Sequence, residues 1–339
     1  MTGTVIRKQN PHSSGTAPAL PSRACQTAGA SLPRFDGGQR LDISKSAFVA
    51  IVGKPNVGKS SLLNQLLGEK VAIVTAKPQT TRTRITGVLT RGSVQLVFID
   101  TPGFHKPKTK LSDAMDRVVT TSIKDVDAVM LLVEPEGRLT EAEHALIDNI
   151  RQEGVRSILV INKIDLIPEK ARLAARIASL MELHPFDAVV PISVLQNDGL
   201  DRLLSELESC AQEGPHFFPD DTLTDQPERV IAAEILREQL LLHLQQEIPH
   251  GTAVVIEKLR PREESPIIDI EATIYCEKAS HKGMIIGKNG ASLKRIATAA
   301  RQELERFLDQ RINLQCWVKV KEDWRNKENL IRNFGLSDT

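Results

Sequence analysis

Residues 51–61 read IVGKPNVGKSS and follow the apolar run at 47–50. Gly53, Gly58, Lys59 and Ser60 satisfy G-x-x-x-x-G-K-[ST], a spacing whose chemistry is phosphate binding. Glycines free the backbone amides of such a loop, and the helix that follows turns its positive end toward an anion. Lys59 then reaches terminal phosphates, and the Ser60 hydroxyl can hold Mg2+. Gly53, Lys54, Pro55, Asn56, Val57, Gly58, Lys59 and Ser60 are therefore candidate nucleotide ligands. Many glycine-rich turns only reverse a chain, so the companions of this loop must decide.

Four companions follow in order. Asp100, Thr101, Pro102 and Gly103 form DTPG at the end of an apolar run, with Phe104 next. A carboxylate there suits Mg2+, usually through water, and the glycine lets an amide approach the γ-phosphate. Asn162, Lys163, Ile164 and Asp165 form NKID. An Asp so placed accepts from both N1–H and the exocyclic amine of guanine, a donor pair that adenine lacks. In the loop PQTTRTR (78–84), Thr81 is a candidate for holding Mg2+ and sensing the γ-phosphate, with Thr80 as the fallback. Ser193 and Val194 end another apolar run and can cover the base with backbone amides.

A different constellation lies near the C-terminus. HKGMIIGKNGASLKRI (281–296) holds Gly287, Lys288, Asn289 and Gly290 between two helix-period stretches. This fits the G-x-x-G loop of KH domains, whose backbone approaches single-stranded RNA. Lys282, Lys288, Lys294 and Arg295 add positive charge. Met284, Ile285, Ile286, Leu293 and Ile296 are expected to form its floor and core.

These residues need elements to position them. A chain of 339 residues is too long for one small core and suggests two domains. Short apolar runs at 47–52, 86–89, 95–100, 128–133, 157–162 and 188–192 alternate with helix-period stretches at 60–68, 111–124, 140–152, 170–183 and 199–211. That alternation predicts an α/β domain with a mostly parallel sheet flanked by helices. A turn at Gly92–Ser93 predicts one antiparallel hairpin. Farther on, a helix at 229–247, strands at 252–259 and 267–276, two helices around the G-x-x-G loop and a strand at 313–321 give the order α-β-β-α-α-β. The organisation expected is a disordered tail over 1–45, a nucleotide domain over 46–212, a Pro- and Asp-rich linker over 213–228 and an RNA-binding domain over 229–339. A transit peptide and a misassigned start are other accounts of the tail.

Lys and Arg number 44 against 43 Asp and Glu, so a nucleic acid must be met by a local patch rather than a global field. Cys25, Cys210, Cys276 and Cys316 form no C-x-x-C, which argues against a zinc site or a disulfide framework. The longest apolar runs are too short to cross a bilayer.

The ordered set resembles a translation-factor-class GTPase, and GKPNVGKSS, PQTTR, DTPGFHKPK and NKID are similar to the bacterial Era GTPases. Era proteins carry a type II KH domain after the GTPase domain, and QCWVKVKEDWR (315–325) looks like their C-terminal strand. One departure is Ser193–Val194 where Ser-Ala is usual; backbone amides make that contact, so little effect is expected. The resemblance implies slow hydrolysis of GTP to GDP and phosphate, with Mg2+ held by Ser60, Thr81 and Asp100. It also implies binding to the 3′ end of 16S rRNA during 30S subunit assembly, by a cytoplasmic monomer peripherally attached to the inner membrane. Phe104 stands where Ras-like proteins place a water-orienting Gln. Similar families bind K+ through an Asn of the phosphate loop, and Asn56 occupies that place; it joins Lys59, Thr81 and Gly103 as a candidate catalytic group. Two other readings remain. A double-GTPase ribosome factor is disfavoured by the single phosphate loop. A non-catalytic KH protein with a scaffolding nucleotide domain is disfavoured by intact Lys59, Ser60, Asp100 and Asp165.

Overall fold

The computed structural model describes residues 6–7, 43–77, 79–103 and 109–336. A two-residue strand, β1 (Ile6–Arg7), pairs antiparallel with β9 (Thr222–Thr224). It falls within the stretch expected to be a disordered tail, the rest of which up to residue 42 lies outside the described residues.

The first domain is built around β2 (Lys45–Gly53), whose alternating side chains feed two cores. Val49 and Ile51 join one cluster; Ala50 and Val52 join the other. Strands β3 (Ile85–Arg91), β4 (Val94–Asp100), β5 (Ala128–Val133), β6 (Arg156–Ile161) and β7 (Ala188–Pro191) complete the sheet in the order β3-β4-β2-β5-β6-β7. The short β8 (Gln212–Glu213) pairs with β2. Along the main path every pairing is parallel except β3–β4, the hairpin expected at Gly92–Ser93. AVMLLV in β5 is buried throughout, as a strand covered on both faces requires. Leucines of α1 (Lys59–Leu67) and α5 (Leu200–Glu208) pack on one face. The other is covered by α2 (Lys110–Ser122), α3 (Glu141–Glu153) and α4 (Lys170–Met181). Because β2 lies between β4 and β5, the chain leaves it in opposite directions, opening a crevice at the carboxyl ends of the strands.

The second domain runs α6 (Glu228–His243), β10 (Thr252–Pro261), β11 (Ile267–Cys276), α7 (Ala279–Ile286), α8 (Ala291–Leu308) and β12 (Arg311–Val320), followed by α9 (Glu328–Asn333). Its sheet is β10-β11-β12, with β11 antiparallel to β10 and parallel to β12. Ile268, Ile270 and Ile274 of β11 meet Ile235 and Leu236 of α6 and Ile296 and Leu304 of α8. Helix α6 stops short of the expected 247: Leu244 is extended and Gln246 takes φ 54.

The two domains are in contact. Leu111 and Met115 of α2 share a cluster with Ala253, Trp324, Ile331 and Leu336. The fully buried Trp324 donates its Nε1–H to Gly251 O at 2.9 Å. Residues 213–228, whose Pro and Asp content suggests a linker, are tied to the β3–β4 hairpin. Gln95 Oε1 accepts from the amides of Phe217 and Phe218 at 2.8 and 3.0 Å. Thr224 Oγ1 donates to Thr86 O at 2.6 Å, and Phe217 lies 4.7 Å from the Phe48 ring.

Candidate functional site

The described residues of the nucleotide motifs gather where the strands of the first sheet end. The loop from Gly53 to Gly58 leaves β2 and enters α1, whose first residue is Lys59. Gly58 is required there twice over: its φ is +107°, and a Cβ would sit 2.3 Å from Asn162 Nδ2. Asn162 donates that amide to Val57 O at 2.8 Å and accepts from Val194 N at 3.2 Å, so it braces the phosphate loop against the end of β7. Lys59 Nζ donates to Gly53 O and Lys54 O, both at 3.0 Å. Burial pulls its pKa down to about 8, against the opposing attraction of Asp100. A cavity of about 310 Å³ opens here, lined among others by Pro55, Asn56, Lys59, Ser60, Thr81 and Lys163, a size suited to a small-molecule ligand.

Three oxygen-bearing side chains from separate segments converge beside Lys59. Ser60 Oγ donates to Asp100 Oδ2 at 2.7 Å and lies 2.8 Å from Thr81 Oγ1. Asp100 is fully buried, and its Oδ1 has no hydrogen-bond partner. Burial pushes the carboxyl up to about 6 despite Lys59 and the Ser60 hydrogen bond. Two hydroxyls and a carboxylate with a spare buried oxygen fit a hard divalent cation such as Mg2+. Thr80, the fallback for Thr81, turns instead to Thr75 Oγ1 at 2.7 Å and Lys77 O at 2.6 Å. Thr101 Oγ1 donates to Ile51 O at 2.8 Å. Pro102 is buried, and Gly103 passes so near Pro55 that a Cβ would meet it at 2.8 Å. Phe104 and Pro78 lie outside the described residues.

The opposite end of the crevice holds NKID. Lys163, at φ 67°, donates Nζ to Asn56 O at 2.9 Å and to Glu134 Oε1 at 2.7 Å. Asp165 Oδ1 accepts from Ser193 Oγ at 2.6 Å, and Ile164 N donates to Ile192 O at 3.2 Å. Asn56 Nδ2 donates to Ala76 O at 2.8 Å.

Sequence reasoning missed Glu134, which pairs with both Lys54 and Lys163. Burial favours its neutral form, but those hydrogen bonds hold its pKa below the usual value. Its signal was its place directly after β5, at the carboxyl edge of a parallel sheet.

In the second domain Lys282, Lys288, Asn289, Lys294 and Arg295 are exposed around the turn from Gly287 to Gly290, which joins α7 to α8. Ile285 and Ile296 are fully buried, and Ile286 and Leu293 pack beside them. Met284 departs from the expectation: it is 52% exposed, because the register of α7 spends its inward position on Ile285.

Fold and site together define a phosphate-loop GTPase domain followed by a KH domain. A family model described as a 50S ribosome-binding GTPase matches residues 48–163, and one described as a KH domain matches 247–325. The GTPase Era of Ruminiclostridium cellulolyticum is 51% identical, with 86% of this chain and 97% of that protein covered. That of Clostridioides difficile is 48% identical, with 87% and 99% covered. The chain belongs to the Era family of GTPases. Among solved structures, an Aquifex aeolicus Era variant bound to GDP and AlF4− shares 38% identity at a TM-score of 0.83, covering 87% of this chain and all of that one. An Era in complex with MgGDPNP and nucleotides 1506–1542 of 16S ribosomal RNA shares 37% at 0.84, with 87% of this chain and 100% of that one covered.

Proposed function

We propose that this GTPase is a nucleotide-operated switch that binds small-subunit ribosomal RNA and assists assembly of the 30S subunit. The observation that carries the reading is the convergence of Ser60, Thr81 and Asp100 beside Lys59, with Asp165 at the far end of the same crevice. Backbone amides of residues 54–60 and the start of α1 bind the phosphates. Lys59 offers its ammonium to the β- and γ-phosphate oxygens. Ser60, Thr81 and Asp100 would hold Mg2+, which would supply positive charge to the phosphates. The amide of Gly103 serves the γ-phosphate, and Asp165 reads guanine. Asn56, which lines the cavity, would help hold K+, whose charge would offset charge developing during transfer.

The RNA half rests on the exposed basic turn around Gly287–Gly290 and on the RNA complex of the 37%-identical Era. Family likeness further supports a cytoplasmic monomer touching the inner membrane peripherally. Among the described residues no helix is long and apolar enough to cross a membrane.

The test is crosslinking of the chain to ribosomal RNA with a GTP analogue against GDP. Crosslinks to the small-subunit RNA whose yield depends on the nucleotide are expected, and nucleotide-independent yields would remove the switch. Fluorescent-nucleotide titration without any Mg2+-dependent binding would instead favour a scaffolding nucleotide domain. Turnover in K+ is expected to exceed that in Na+, and equal rates would remove K+ from the reading.

A further inference from the structure

The segment that carries Thr81 is gripped by the KH domain along its length. Lys70 Nζ pairs with Glu238 of α6 at 2.6 Å and Glu303 of α8 at 3.0 Å. Val74 N donates to Glu238 Oε1 at 3.0 Å. Lys77 Nζ donates to Leu241 O and Leu244 O, neutralising the carbonyl end of α6. The tightest hold comes at three consecutive residues. Thr80 O accepts from Arg237 of α6. Thr81 turns its hydroxyl to Ser60 at 2.8 Å. Arg82 then enters the KH domain, donating to Thr252 O at 2.6 Å and His250 O at 2.7 Å, with its guanidinium 5.8 Å from the Trp324 ring centre.

Adjacent Cα atoms are a fixed ~3.8 Å apart, so anchors on residues 80 and 82 leave the residue between little freedom. Both anchors are buried, Arg82 at 1% and Arg237 at 2% exposure. Arg237 is itself held by Glu234, whose Oε1 accepts from its Nε at 2.8 Å. Among the described residues, those from 70 to 82 form no helix or strand that would otherwise fix Thr81.

We propose that Arg237 and Arg82 are positioning residues of the nucleotide site: through them the KH domain seats the Thr81 hydroxyl where the metal and γ-phosphate are met. This rests on the reading of Thr81 given above. A nucleotide with a γ-phosphate and a docked KH domain then favour one another reciprocally, since both stabilise the same loop position. GDP, which makes no demand on Thr81, is indifferent to the anchors.

The experiment measures affinities of the full chain for fluorescent GMPPNP and GDP, with Mg2+ present and absent. Arg237→Met is expected to weaken Mg2+-dependent GMPPNP binding roughly tenfold, the order carried by a charge-assisted hydrogen bond, and to leave GDP within about twofold. Arg237→Lys keeps a donor for Thr80 O and retains most of the wild-type ratio. Lys70→Met loosens the same interface away from Thr81; it lowers the melting temperature without changing the ratio. An unchanged ratio in Arg237→Met overturns the proposal, as does an equal change in Lys70→Met. Should Arg237→Met not fold, Arg82→Gln ends short of Thr252 O and His250 O and so releases that anchor, and a wild-type ratio there is equally decisive. Wild-type chain lacking any Mg2+-dependent preference for GMPPNP would sink the reading of Thr81 itself, a separate outcome.

Discussion

Two glycine turns, each entering a helix, do opposite work in this chain. The turn at Gly53–Gly58 is the more enclosed: Gly53 and Val57 are buried, Asn56 alone is exposed, and Asn162 fills the space a Gly58 side chain would need. The turn at Gly287–Gly290 stands open, with Lys288 and Asn289 exposed and nothing within 4 Å of a Cβ on Gly290. An enclosed loop can surround one ligand of fixed size and select it with side chains brought from distant segments. An open loop presents amides and cations to a polymer that must pass by. The proposed function accordingly assigns selectivity to the first turn and grip to the second.

The largest expected effect comes from closing the enclosed loop. Gly58→Ala puts a methyl on Asn162 and forces an L-residue to φ +107°. Left-handed strain alone costs about 1–2 kcal/mol, and displacing Asn162 also frees the brace to Val194. Loss of nucleotide binding by at least about a hundredfold is expected by fluorescence titration. Near wild-type affinity would show that the loop is not the cradle. Asp165→Asn comes next, because a buried mismatch of donors is a strong discriminator. Preference for GTP over XTP is expected to fall by about a hundredfold, and an unchanged preference would remove Asp165 from base reading.

Much of the enclosed site was legible because its residues come as local words at strand ends. Asp100, Asn162 and Ser193 each close an apolar run, with Asp165 three residues past Asn162, and a parallel sheet brings such ends together whatever lies between. The apolar run at 47–52 likewise announced a strand, and the structure divides its side chains between two cores, Val49 and Ile51 in one and Ala50 and Val52 in the other. The anchorage of Thr81 was not legible. Arg82 and Arg237 reach main-chain carbonyls of the other domain, and a carbonyl carries no residue identity that spacing could reveal. Glu134 was hidden for a related reason, since one acid after a strand has no pattern of its own until Lys54 and Lys163 close on it. Composition marked residues 213–228 as a linker but could not show where they rest, because the side chain of Gln95, far back in the chain, supplies bonds that fix them.

At the open turn the two glycines are expected to separate. Gly287 sits at φ 73°, ψ 176°, a region essentially reserved for glycine. A Cβ there would lie 2.9 Å from Ser292 N in the first turn of α8, where backbone cannot yield. Gly287→Ala should weaken RNA binding about tenfold in a filter or fluorescence assay, with nucleotide affinity kept. Gly290 at φ 78° faces open space, so Gly290→Ala costs only about 1–2 kcal/mol of backbone strain. It should lower thermal stability while changing RNA affinity no more than about threefold. Equal losses of RNA affinity in the two variants would mean the turn acts through its overall shape rather than through Gly287.

The smallest effect tests grip against selectivity most directly. Lys288 is exposed on the open turn. If it neutralises one phosphate of a single strand, Lys288→Gln reduces the slope of log affinity against log salt by about 0.7. The loss at physiological salt is only a few-fold, because an exposed cation is heavily screened. It should also be uniform across RNA sequences, since a phosphate contact carries no base information. Nucleotide affinity and its own salt dependence should not move, because the enclosed loop draws its field from buried amides and Lys59 rather than from surface charge. A sequence-dependent loss would give Lys288 a reading role and erase the division between the two turns. An unchanged slope would mean the RNA passes elsewhere on the domain.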